Sequence, residues 1–256
     1  MRGWEAGSAL FFAYVIAVAI SRSPRDRLAR ILGGAAAALG VTLTSSRLPH
    51  HYILHDWLLP PILLLLGYWT SGLLFRAPIS RQEQALFWLD QRLHIRAVAA
   101  RMPRWVAEFL EFAYSGVSPL ILIALALYLV WSPQADAGRF WTVILVTDYI
   151  CFGVLPWVQT RPPRALEIGD PWNARFRVVN LRVLGAAGIG VNTFPSGHAA
   201  EALVIALFLS EAPWPIFLWM LLNALSISAG AVLGRYHYAA DALAGWIVAL
   251  VVWMIL

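Results

Sequence analysis

The chain has 256 residues, 60% of them apolar and 13% charged, with a formal net charge of +5. Soluble domains are usually about 45–50% apolar, so the composition excludes an ordinary soluble globule and points to a bilayer as the solvent. All 19 basic residues are arginine, and in such a chain the positive charge reads as loop charge at a membrane surface rather than as a nucleic-acid footprint.

A spanning helix needs about 20 largely apolar residues. Eight segments qualify as candidates: 4–20, 31–46, 53–75, 106–131, 140–159, 194–210, 215–234 and 238–256. The first has an alternative reading as a signal peptide, with Arg2, an apolar stretch and Ala17-Val18-Ala19 as a cleavage site. The second is rich in small residues (Gly33, Gly34, Gly40 and an alanine run), which suits close helix packing. Pro60 and Pro61 are expected to kink the third. Between the third and fourth, residues 76–105 carry Arg81, Arg92, Arg96, Arg101 and Arg104. Leu86, Leu89 and Leu93 fall there on one helical face. An amphipathic helix on the membrane surface is the expectation, with a solvated connector helix as the alternative. The single cysteine, Cys151, lies in an apolar run, which excludes an internal disulfide and a cysteine-built metal site.

Three polar clusters interrupt this apolar background: Arg161-Pro162-Pro163-Arg164, Pro195-Ser196-Gly197-His198, and Arg235-Tyr236-His237-Tyr238-Ala239-Ala240-Asp241. Residues 162–194 contain no good spanning run, and residues 199–236 are long enough for two spans and a turn at 211–213. All three clusters are therefore expected at one membrane face. Ser196 and Gly197 open a predicted helix, where unpaired N–H groups and the helix dipole favour an anion. Arg161, Arg164 and Arg235 can donate forked hydrogen bonds to phosphate oxygens. His237 and Asp241 are spaced i, i+4, so a carboxylate can hold the imidazole in one tautomer and leave its other nitrogen free to attack phosphorus. His198 is then placed to protonate the leaving oxygen.

These residues resemble the type 2 phosphatidic acid phosphatase superfamily, which includes lipid phosphate phosphatases and vanadium haloperoxidases. Its motifs are Lys, six residues and Arg-Pro; Pro-Ser-Gly-His; and Ser-Arg, five residues, His, three residues and Asp. Arg161-Pro162 looks like the end of the first, 195–198 match the second, and His237 and Asp241 match the end of the third. The resemblance implies a phosphohistidine at His237, proton donation by His198, and no metal or other cofactor. The chain departs from the pattern at Val154, where the family has lysine, and at Gly230-Ala231, where it has Ser-Arg. Arg235, one helical turn after Ala231, is expected to reach the same phosphate if the seventh span stays helical. Arg164, or one of Arg175, Arg177 and Arg182, is expected to replace the lysine. The Arg-Tyr-His-Tyr run also looks like bacterial relatives of inositol phosphorylceramide and sphingomyelin synthases.

The sequence thus predicts an all-α, polytopic membrane bundle of about eight helices. Residues 1–52 would form two additional helices, and 53–256 a six-helix catalytic domain that includes the interfacial segment 76–105. The predicted function is hydrolysis of a lipid phosphomonoester or diphosphate, phosphatidate-like or polyprenyl. The rivals are a phosphotransferase with an alcohol acceptor and a non-catalytic scaffold or transporter with a degenerate site. The expected catalytic residues are His237, His198 and Asp241, with Arg161, Arg164, Ser196, Gly197 and Arg235 on the phosphate. The expected partners are a lipid phosphate and the bilayer, not nucleic acid; the sequence does not set an oligomeric state.

Other polar residues carry weaker expectations. Asp148 is read as pairing with a site arginine or as a packing residue, and Glu201 as orienting His198 or bonding between helices. Glu167 is read as a loop brace acting through an arginine. His50, His51, His55 and Asp56 are read as interfacial anchors rather than a metal cluster. Arginines are dense in 21–30 and 76–105, against Arg2, Arg47 and Arg139 on the other face, which leans the site toward the cytoplasm of a bacterial inner membrane.

Overall fold

The computed structural model describes residues 1–23 and 25–256. Among them the regular structure is helical, without strands. The helices are α1 (Gly3–Arg22), α2 (Arg25–Ser45), α3 (Leu59–Gly72), α4 (Ser80–Arg92), α5 (Ile95–Ala100), α6 (Arg104–Ser115), α7 (Val117–Trp131), α8 (Ala137–Val154), α9 (Arg175–Ala187), α10 (Gly197–Phe208), α11 (Trp214–Leu233) and α12 (Ala239–Ile255). Helices α1, α2, α8 and α11 are long and apolar enough to cross a membrane, and α6 with α7 makes a fifth if that bent pair is one span. Apolar helices α10 and α12 are shorter. The fold is a polytopic helical bundle.

Several expected spans are broken, and the chain chemistry explains where. The third opens as a π-helical turn over Ile53–Leu58, and α3 begins only at Leu59. Pro60 and Pro61 therefore sit in the first turn, where a missing N–H costs nothing, instead of kinking a longer helix. The fourth is two helices bent by 66° at Ser115–Val117. Pro119 lacks the N–H that would bond the Ser115 carbonyl, so the helix restarts at this point.

The core runs through the centre of the bundle. Phe11, Phe12 and Val15 of α1, Ile31, Ala35 and Ala38 of α2, and Phe140, Trp141 and Ile144 of α8 are buried together. The small residues of α2 do allow close contact, since a Cβ on Gly34 would lie 3.0 Å from Thr70 of α3. At the far end of the bundle Glu5 is buried, accepting from the Arg2 backbone and side chain and from Ser45. Trp141 donates to the Asp56 carbonyl there, and Arg139 to that of Leu256.

The opposite end gathers the loops between helices. Arg27 donates to the Phe75 carbonyl, Ile79 N–H to that of Gln159, and Arg164 N–H to that of Arg235. Helices α10 and α12 meet here. Ser196 N–H donates to the Asp241 carbonyl at 2.9 Å, and a Cβ on Gly245 would lie 2.5 Å from the Ser196 carbonyl oxygen. That oxygen is backbone and has no rotamer to escape into. Gly245→Ala is expected to destabilise the protein by about 1–3 kcal/mol, the usual range for overpacking, seen as a lowered midpoint in thermal unfolding of the detergent-solubilised protein; an unchanged midpoint would mean the two helices are not so closely apposed.

Candidate active site at one end of the bundle

Each part of the site is set by a helix terminus. Ser196 caps α10, its hydroxyl accepting from Ala199 N–H, and so fixes His198 in the first turn. Helix α11 ends at Leu233, and Arg235 adopts a left-handed backbone, φ 62°, which reverses the chain. The Tyr236 and His237 N–H groups both return to the Ala231 carbonyl, at 2.9 Å each. His237 thus precedes α12 instead of lying on it. Asp241 Oδ2 caps that helix by accepting from Tyr238 N–H at 2.8 Å, and the same oxygen is 3.4 Å from His237 Nδ1. The pairing expected along one helix face occurs across a helix start.

The His198 and His237 rings face each other at 5.9 Å between centroids. They line a small cavity of about 30 Å³ with Arg164, Tyr114, Tyr236 and Thr193. Tyr114 stacks on His198 at 5.1 Å and on Tyr236 at 4.3 Å. Arg164 lies over the Tyr236 ring at 5.3 Å. Burial holds its guanidinium below the usual arginine value. Its side chain makes no ion pair with a carboxylate among the described residues. An imidazole beside a carboxylate, a second imidazole opposite, and an unneutralised guanidinium form a set that can bind an oxyanion and exchange protons with it.

The other arginines expected on phosphate are elsewhere. Arg161 is bidentate to Glu83 of α4, at 2.7 and 3.0 Å, and points away from the cavity. Arg235 is buried, 1% exposed, and is held by Glu167 and by Asp90, the latter at 2.6 Å. Helix α11 ends at Leu233, so Arg235 is not carried on along it, and neither Arg235 nor Arg161 lines the cavity where phosphate contact was expected. Gly197 lines a neighbouring groove, and Ser196 is fully buried as a cap. Of the four arginines weighed for the missing lysine, Arg164 alone lines the cavity. Arg177 is held by Asp170 and Glu111, and Arg175 lines a separate surface hollow.

The sequence reading missed two supports. Helix α9 lies within the stretch read only as a connection, and its Leu184 walls the cavity. Glu111, fully buried on α6, accepts from Trp172, Arg177, Asn180 and Tyr236. An acid inside an apolar run, Glu111 with Glu108 one turn before it, was the available signal. On α4 the buried residues are Glu83 and Asp90, while Leu93 is half-exposed. Leu86, three residues from Glu83 and four from Asp90, lies on the same side of the helix as these acids and is partly buried. Glu167 bonds both Arg96 and Arg235, as a loop brace would. His50 pairs with Asp56, and His55 with the His51 backbone. Among the described residues no three His, Cys, Asp or Glu side chains gather as metal ligands.

Residues 78–255, over half of the chain, match the sequence profile of the PAP2 superfamily. The chain belongs to the PAP2 superfamily. Membership supports a phosphatase-type function on phosphate esters. No curated protein and no solved structure matches the chain. Where the superfamily motif has Ser-Arg, Gly230 packs against α6, a Cβ there lying 2.6 Å from the Leu110 carbonyl oxygen, and Ala231 sits with Tyr114 and Tyr236.

The Glu83 carboxyl is held below its ordinary value near 4.5, first by the Arg161 side chain. A depressed carboxyl contributes stability that is complete above its unfolded value and is lost as pH falls through the folded one. Wild type should therefore melt above Glu83→Gln at neutral pH, and the gap should close as pH falls below about 4.5; a gap that persists in acid would deny the ion pair its role.

Proposed function

We propose that this PAP2 protein hydrolyses a phosphate ester of a membrane lipid through a covalent phosphohistidine at His237. The reading rests on one observation: two imidazoles and the unpaired Arg164 guanidinium share one cavity at the loop-rich end of a membrane bundle. In the first step His237 attacks phosphorus while the bond to the lipid oxygen breaks, and His198 gives that oxygen its proton. Asp241, beside Nδ1, favours the tautomer whose Nε2 attacks and stabilises the cation that forms. In the second step His198 takes a proton from water, which attacks the phosphohistidine and releases inorganic phosphate. Arg164 stabilises the equatorial oxygens throughout. The nucleophile is a side chain, so the step needs no metal-activated water.

Arg161 and Arg235 act in this scheme as braces that tie α4 to the loops bearing the histidines. In this reading residues 1–52 are an addition to a catalytic domain over 53–256; the family match covers 78–255 of it. Purified protein in detergent should release phosphate from lipid phosphates in the presence of chelator. His237→Ala should abolish release, His198→Ala should lower it by about 10²–10⁴-fold, and Arg164→Ala should cost more than Arg161→Ala. Vanadate, by mimicking five-coordinate phosphorus, should inhibit. Activity retained in His237→Ala would overturn the scheme, and a lipid product carrying the headgroup, with little free phosphate, would favour an alcohol acceptor.

The dense arginines of 21–30 and 76–105 support a reading in which the site faces the cytoplasm, by the positive-inside rule. Cys151 is buried, so a cysteine introduced by Gln84→Cys on the exposed side of α4 reports without background. It should resist an impermeant thiol reagent in intact cells and react after lysis; ready labelling of intact cells would put the site outside.

A further inference from the structure

A groove of about 190 Å³ adjoins the catalytic cavity and shares His198, Tyr68, Leu184 and Thr193 with it. Its walls are largely apolar: Leu64 and Leu65 of α3, Val117 of α7 and Phe152 of α8. Two acidic side chains also line it, Asp148 of α8 and Glu201 of α10. They are 1% and 7% exposed. Their carboxyl groups face each other closely enough to share a hydrogen bond. Asp148 Oδ2 and Glu201 Oε1 nevertheless have no partner, and no cation meets either among the described residues. Adjacent carboxyls in low dielectric do not both ionise. The pair therefore keeps a proton between its two groups, and the remaining carboxyl oxygens stand in the groove wall with no cation of the described residues beside them.

We infer that the Asp148–Glu201 pair is a subsite for the backbone of the lipid phosphate, receiving a hydroxyl or amide N–H a few bonds from the phosphoester oxygen; the inference rests on the lipid phosphatase reading above. Depth along α10 decides which part of the lipid arrives there. Glu201 lies three residues beyond His198, about 4.5 Å farther from the loop-rich end at helical rise. A phosphate held between the two histidines puts its ester oxygen beside His198 and the first backbone atoms level with the carboxyls. The acyl chains then continue between α3 and α7. A headgroup amine esterified to the same phosphate would extend the other way, toward water, and miss the pair. Lipid phosphates with a free backbone hydroxyl or amide are therefore the preferred class. A polyprenyl or simple alkyl phosphate offers only C–H groups at that depth.

The test uses full-length protein in detergent and two lipid phosphates of equal chain length, one with a hydroxyl or amide next to the phosphoester carbon and one plain alkyl phosphate. Wild type should favour the donor-bearing lipid in kcat/KM by about tenfold or more, the range of a hydrogen bond to a charged group. In Glu201→Met and Asp148→Leu, which keep much of the side-chain volume and remove the acceptor oxygens, that ratio should fall toward one. Binding of both lipids to the inactive His237→Ala protein should show the same preference without turnover. Equal use of the two lipids by wild type, or a ratio unmoved by both substitutions, overturns the subsite while leaving the phosphatase reading standing. No hydrolysis of either lipid, with the binding preference intact, would sink the phosphatase reading and leave the subsite.

Discussion

The site depends on how closely two helix starts approach each other. Ser196 donates its N–H to the Asp241 carbonyl, and its own carbonyl rests against Gly245, which has no Cβ to hold α12 away. That contact puts His198, two residues past Ser196, across from His237, just before α12. Both side chains are then positioned by caps: Ser196 for α10, Asp241 for α12. Rigid helix ends hold such groups more tightly than loops do. The arrangement also keeps the polar chemistry at the end of the bundle, where backbone leaving the helix has partners, and the apolar core below it.

Charge is sorted with the same economy. Nineteen arginines stand against fourteen acids in this chain, yet most of the guanidiniums near the site are already matched. Arg161 meets Glu83, Arg235 meets Asp90 and Glu167, and Arg177 meets Glu111 and Asp170. Burial pushes the Asp90 carboxyl up, while the Ala239 N–H and Arg235 act against it. Removing one partner of such a pair leaves a charge stranded, so these pairs fix geometry more than they add stability. The Arg161 and Arg235 pairs fasten α4 to the loops at 161 and 235, and the Arg177 pairs fasten α9 to α6 and to the loop at Asp170. What stays unmatched is Arg164, and an unmatched cation beside two imidazoles is where an anion gains most.

The two hollows at His198 differ in character, one polar and one largely apolar. The small cavity is ringed by tyrosines, histidines and Arg164, and the larger groove by aliphatic side chains of α3 and α7. Helix α9 closes one side of both. Trp69 donates to the Ala187 carbonyl, and Ile189 N–H to the Tyr68 hydroxyl, so the end of α9 is tied to α3 at the mouth of the groove.

Hydropathy and a handful of residues determined much of this from the chain alone. Apolar runs longer than a soluble core can use forced a helical bundle, because in lipid every backbone group must find its partner within the helix. The motif residues His198, His237 and Asp241 were legible because their spacing survives any packing. The arginines were not: Arg161, Arg164 and Arg235 look alike in sequence, and only the tertiary structure separated the one facing the cavity from the two held by acids of α4 and its neighbouring loops. The break at Pro119 was open to local reading, whereas the reversal at Arg235 was not, since a left-handed backbone at a non-glycine residue has no sequence signal. The direction of a long side chain is set by the partner it meets, and partners distant along the chain, such as Asp90 for Arg235, exist only once the helices have packed.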